Sequence, residues 1–128
     1  MTTSIRVIFG IGLLVLGISG KTWAHAFPDH SEPRVGSMLT SAPKTVKIWF
    51  DGHLTPVFST IAIYDKNKNR VDQQDGYVNE LDPALLEVGL KVKLSFGLYR
   101  VVWTAVSMDG HRTEGDFTFT VKDPKESP

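Results

Sequence analysis

Apolar residues in this chain recur at every second position in a series of short runs, and no helical period of useful length appears. Strict alternation puts successive side chains on opposite faces of an extended segment, so each run belongs in a sheet with one face covered. Within residues 46–50, Val46, Ile48 and Phe50 share a face. Residues 58–64 are rich in β-branched and aromatic side chains and read as the next strand. Residues 90–96, Leu-Lys-Val-Lys-Leu-Ser-Phe, are the cleanest alternation in the chain, and Gly97 ends them. Residues 99–106 and 117–121 complete the set, with Phe117, Phe119 and Val121 pointing one way. Turn-forming stretches separate the runs: Ser41-Ala42-Pro43, Asp51-Gly52-His53, Asp65-Lys66-Asn67-Lys68-Asn69 and Asp75-Gly76. Pro28 and Pro33 keep residues 25–37 out of a helix or a central strand, and that stretch reads as loop. Residues 70–77 are ambiguous, and residues 81–86 fit either a helical turn or a loop with a short strand. Five or more short strands spaced by about ten residues predict an all-β fold, a β-sandwich in preference to a small barrel.

The first 24 residues stand apart. Arg6 supplies a positive charge, residues 7–18 are almost unbroken apolar sequence, and Thr22-Trp23-Ala24 offers a small-residue cleavage site. This is the pattern of a secretory signal peptide, residues 1–24. The run is too short for a membrane span, which needs about 20 apolar residues. Cleavage after Ala24 starts the processed chain at His25; Ala24-His25-Ala26 also permits a cut after Ala26. The domain then occupies residues 25–121, and residues 122–128 form a polar tail expected to be disordered. Removing Arg6 and Lys21 leaves a weakly acidic domain without a basic cluster, a poor partner for nucleic acid.

The chain has no cysteine. An exported domain without disulfides rests on packing alone, and thiolate is unavailable as a metal ligand. Past the signal only Met38 and Met108 carry thioethers. Any metal held here is therefore expected to meet nitrogen and oxygen.

Such donors cluster at Ser107-Met108-Asp109-Gly110-His111, where a strand gives way to a loop. A carboxylate and an imidazole stand two residues apart, and the glycine between them tolerates backbone angles that turn both toward one point. His25, once it is the first residue, carries a free α-amine beside its imidazole. The amine and ring Nδ1 can close a six-membered chelate around one metal. An α-amine ordinarily titrates at ~8 and an imidazole at ~6.5, so such a site is nearly ready at neutral pH and weakens in acid. His111 adds a third nitrogen and Asp109 an oxygen, a tetragonal set that suits one Cu(II) ion by geometry and affinity order. A bare Asp-Gly-His is more often a turn, and Asp51-Gly52-His53 has the same tripeptide with nothing else to mark it. Glu114 and Asp116 are placed to orient His111 or simply to meet solvent, and Trp49 and Trp103 read as sheet or core residues.

The opening His25-Ala26-Phe27-Pro28-Asp29-His30-Ser31-Glu32-Pro33, the strand ending at Phe50, and the run GLYRVVWTAVSMDGH, a G-x-Y-x-V-x-W-x-x-x-S-x-D-G-H pattern at residues 97–111, together resemble the CopC copper-resistance family. The likeness extends over residues 25–121. It implies an immunoglobulin-like Greek-key β-sandwich or barrel in the periplasm. It implies a monomer that binds Cu(II) through positions matching His25, Asp109 and His111, and an inner-membrane partner of the CopD type. Some members place a ligating glutamate where this chain has Gly52, with Asp51 and His53 beside it as substitutes; some carry a methionine-rich stretch for Cu(I), which this chain lacks. A carrier or buffer without catalysis is the expected function. The alternatives are a small copper monooxygenase with a histidine-brace site, which needs an open coordination position and a broad substrate surface, and a metal-free interaction module.

Overall fold

The computed structural model describes residues 25–126; the expected signal peptide and the last two residues of the expected tail lie outside that range. Among the described residues there is no helix, and eight strands form two four-stranded sheets. In chain order these are β1 (Pro28–Glu32), β2 (Met38–Leu39), β3 (Thr45–Phe50), β4 (Thr60–Asp65), β5 (Tyr77–Val78), β6 (Leu85–Gly89), β7 (Gly97–Val106) and β8 (Arg112–Val121). One sheet runs β1-β3-β6-β5 and the other β2-β8-β7-β4. All pairings are antiparallel except β2 with β8.

The alternation explains why the sheets stack. Val46, Ile48 and Phe50 of β3 and Leu86 and Val88 of β6 are buried from one side. Ile61 and Ile63 of β4, Tyr99, Val101, Trp103 and Ala105 of β7, and Phe117, Phe119 and Val121 of β8 close over them from the other. The intervening residues, such as Lys47, Arg100 and Asp116, turn out to water. The all-β sandwich expected from the sequence is the fold observed.

Two local readings are corrected. Residues 91–96 are not a strand: Leu90 makes one isolated bridge to Asp72, Lys93 has a left-handed φ of 65°, and Val92 is 85 % exposed. Of the alternating apolar residues after Leu90 only Leu94 packs against the core, while Val92 and Phe96 are exposed; the paired strand lies just upstream, in β6. Residues 28–32 do form a strand, but at a sheet edge and with an irregular register after Pro28, which is where proline is tolerated. Among the ambiguous residues 70–77 lies Asp72, fully buried and accepting from the Ile63 amide at 2.8 Å, the Gln74 amide at 2.8 Å and Arg70 Nε at 2.9 Å.

The longest ladder is the β7–β8 hairpin, paired in unbroken register from Gly97↔Val121 to Val106↔Arg112. Its rigidity depends on Gly115, which lies opposite Trp103. A Cβ added there would stand 2.7 Å from Trp103 Cζ2 and 3.1 Å from Cε2. Trp103 is held in place edge-on to Phe50 at 5.2 Å and cannot retreat cheaply. Gly115→Val is therefore expected to destabilise the domain by about 2 kcal/mol through overpacking, read as a lower midpoint in urea with an unchanged slope.

Candidate metal centre

Residues 107–111 are the tip of that hairpin. The Ser107 amide donates to the His111 carbonyl at 2.9 Å, and the Gly110 amide to the Ser107 carbonyl at 2.9 Å. Gly110 has φ +88°, the left-handed region that a side chain resists. The carboxylate of Asp109 is gripped from three directions. The buried Ser107 hydroxyl donates to Oδ1, the His111 amide donates to Oδ1 at 3.2 Å, and His111 Nδ1 lies 2.9 Å from Oδ2. The Ser107 hydroxyl and the His111 ring hold the Asp109 carboxyl down at about 2, below its ordinary value. It is an anion at any physiological pH, and with about four lone-pair directions on a carboxylate it keeps one for a further partner.

The ring of His111 is turned by the same contact. A carboxylate on one ring nitrogen is the arrangement by which metal-binding imidazoles are commonly fixed. Asp109 can thus act on a metal directly, through His111, or both.

His25 reaches this tip from the opposite end of the sequence. Ala26 beside it is buried at 1 % exposure and its carbonyl accepts from the Thr113 hydroxyl at 2.7 Å. Phe27 and Asp51 exchange two bonds: the Phe27 amide donates to Asp51 Oδ1 at 2.7 Å, and the Asp51 amide donates to the Phe27 carbonyl at 2.9 Å. These contacts aim His25 at the hairpin, and its ring centroid lies 4.8 Å from that of His111 at an interplanar angle of 66°. Three of the sequence-derived donors, His25, Asp109 and His111, therefore share one end of the sandwich. Among the described residues no group of three or more His, Asp or Glu side chains stands in an arrangement that could hold a metal ion.

Other candidates fall outside. Asp51 is committed to the Phe27 amide. Glu114 pairs with Arg112 at 3.0 Å and Asp116 with Arg100 at 2.8 Å, so both belong to the solvated face. His30 lies on β1, stacked on Trp49 at 4.5 Å and paired with Asp29 at 2.8 Å. Sequence reasoning missed the roles of Ser107 and Thr113. The Ser-x-Asp spacing, a common side-chain-to-backbone turn, was the available signal for the first; nothing local marked the second.

A cysteine-free β-sandwich with two imidazoles and an ionised carboxylate gathered at the tip of its longest hairpin has the form of a small metal-handling domain. The family model of the CopC domain matches residues 29–122. Protein YobA of Escherichia coli (strain K12) is 33 % identical over 105 residues, 82 % of this chain and 85 % of YobA. The copper transport protein CutJ of Bacillus subtilis (strain 168) is 36 % identical over 110 residues, 85 % of this chain but only 20 % of CutJ. The crystal structure of CopC from Methylosinus trichosporium OB3b matches with a TM-score of 0.71 at 32 % identity, covering 81 % of this chain and 99 % of that one. The chain belongs to the CopC family, a family of copper-resistance proteins and not of enzymes.

Proposed function

We propose that the chain is exported to the periplasm, that residues 1–24 are removed, and that the domain of residues 25–121 carries or buffers one Cu(II) ion as a monomer. The donors are the α-amine and imidazole of His25, the imidazole of His111 and the carboxylate of Asp109. The observation that carries this reading is the meeting of the His25 and His111 rings, 86 residues apart in sequence, at 4.8 Å. The ionised Asp109 beside them supplies negative charge for a divalent cation, and Cu(II) heads the affinity order for nitrogen and oxygen donors. A separate inner-membrane partner of the CopD type receives or supplies the ion. In support of a role in passing copper on, one relative is the copper transport protein CutJ of Bacillus subtilis.

Thermal unfolding of the processed protein tests the proposal. Copper that binds only the folded state stabilises it by mass action, about 2.7 kcal/mol at a free concentration one hundred times the dissociation constant. A rise of several degrees in Tm that saturates at one equivalent of Cu(II) is expected. An unchanged Tm would identify a metal-free module instead.

A further inference from the structure

We infer that the end of the sandwich opposite the metal donors docks on anionic lipid bilayers. No run of the sequence is basic, yet folding gathers cations at that end. Residues 25–27, 51–59, 79–84 and 107–111 lie at the end that carries the donors, and residues 33–44, 66–76, 90–96 and 122–126 at the other. Backbone bonds tie these last four stretches into one surface. The Leu90 amide donates to the Lys44 carbonyl at 2.9 Å, the Lys91 amide to the Val71 carbonyl at 2.9 Å, and the Lys122 amide to the Leu39 carbonyl at 2.8 Å. On this surface Lys44, Lys66, Lys68, Lys91, Lys93 and Lys122 are all exposed, and none is in an ion pair among the described residues. The acids of the same stretches are fewer: Asp65, Asp75, Asp123, Glu126 and Asp72, the last buried against Arg70. Apolar side chains stand out among the lysines: Val35, Met38, Phe96 and, between Lys91 and Lys93, Val92.

Basic and apolar groups together suit a membrane surface: the apolar side chains enter the headgroup region while the cations meet anionic lipid. The donor-bearing end is apolar too, with Phe27, Val57 and Leu81 exposed. It is bordered, however, by Asp51, Glu80, Asp82 and Asp109, which an anionic surface repels. Between the two ends β7 runs 10 residues, about 33 Å at about 3.3 Å per residue. At physiological ionic strength fields fall off over about 8 Å, so a bilayer at the basic end does not sense those acids. A weakly acidic domain can therefore still bind a negative surface, through one end only. Docked in this way, it turns its donor-bearing tip outward to solvent. The inference makes no use of copper and goes beyond the function proposed above, so it stands or falls separately from it.

Sedimentation with vesicles tests it, using copper-free protein that begins at His25. Binding is expected to vesicles of equal parts phosphatidylglycerol and phosphatidylcholine at low salt, to fade as salt rises, and to be absent from pure phosphatidylcholine. Lys91→Gln with Lys93→Gln is expected to weaken it at least about tenfold, since each cation near such a surface counts for roughly a fivefold change. Lys47→Gln with Arg112→Gln removes the same charge elsewhere and is expected to leave binding within about threefold of wild type. Val92→Ser is expected to weaken binding about threefold, and Leu81→Ser, at the donor-bearing end, to leave it unchanged. All are surface positions, so the fold persists. Equal losses in the two double variants would show a response to net charge alone. A greater loss in Leu81→Ser than in Val92→Ser would turn the domain the other way up. Either result overturns the inference, as would equal binding to both vesicle types or binding to neither. Binding to double-stranded DNA as tight as to the anionic vesicles, with Val92→Ser unchanged, would mark a general polyanion surface and overturn it too.

Discussion

His111→Ala in the processed protein is expected to weaken Cu(II) binding by at least about 100-fold, and His30→Ala to leave it within about threefold of wild type. The contrast follows from where the two rings lie. His111 ends the β7–β8 hairpin, has one nitrogen facing the ionised Asp109, and meets the ring of His25. His30 is stacked flat on Trp49 on the outer side of β1 and β3, with its Nδ1 on Asp29. Loss of an outer-shell partner of a metal ligand already costs ten- to 100-fold in affinity, so loss of a ligand sets that range as a lower bound. The substitution does not unfold the domain, because the His111 side chain is 38 % exposed and its amide and carbonyl bonds survive. Competition titration against a chelator of known affinity reads both variants. A larger loss in His30→Ala than in His111→Ala would move the site off the hairpin tip.

Asp72→Ala has the largest expected effect on stability. The Asp72 side chain is fully buried, and it accepts from the amides of Ile63 and Gln74 and from Arg70. Burial pushes its carboxyl up, but Arg70 and the two amides outweigh burial and leave it below its ordinary value. Alanine would strand the Ile63 amide inside the sandwich, where an unsatisfied donor costs about 1–3 kcal/mol, and would remove the partner of Arg70 as well. A total of about 3 kcal/mol, or a fall in Tm of about 15 °C for a domain of this size, is expected. Asp72→Asn keeps an acceptor for one amide and falls between. The pH dependence has a definite sign. A carboxyl lowered in the folded state contributes stability above its unfolded value of about 3.9, and that contribution is lost as pH falls through the folded value. Wild-type protein therefore loses more stability between about pH 5 and pH 2 than Asp72→Ala does. Equal Tm values at pH 7 would show that Asp72 holds nothing together.

The core strands were legible because burial on one face leaves a period of two. β3 and β7 appear in the sequence nearly as they fold, and β8 only in its second half, residues 117–121 of Arg112–Val121, with Phe50, Trp103 and Phe119 marking the inward side. The same signal failed at residues 90–96. Alternation is a local property, and whether a partner strand lies beneath is not; Val92 alternates as well as Val88 does, but only Val88 has β3 beside it. Asp72 was invisible for a related reason, since a buried aspartate is recognised by the distant amides that satisfy it. At the site, Asp109, Gly110 and His111 could be read from spacing. Their meeting with His25 was expected from its terminal position and from the family resemblance, but what holds it there, the buried Ala26 with Thr113 and Asp51, was not legible.

The most direct test compares Cu(II) affinity of the protein that begins at His25 with that of the same protein carrying one glycine before it. The extra residue leaves every side chain intact but moves the α-amine out of reach of the His25 chelate. A loss of at least about 100-fold in affinity is expected. Equal affinity for the two proteins would contradict a site built on the His25 amine and would leave the metal, if bound at all, to side chains alone.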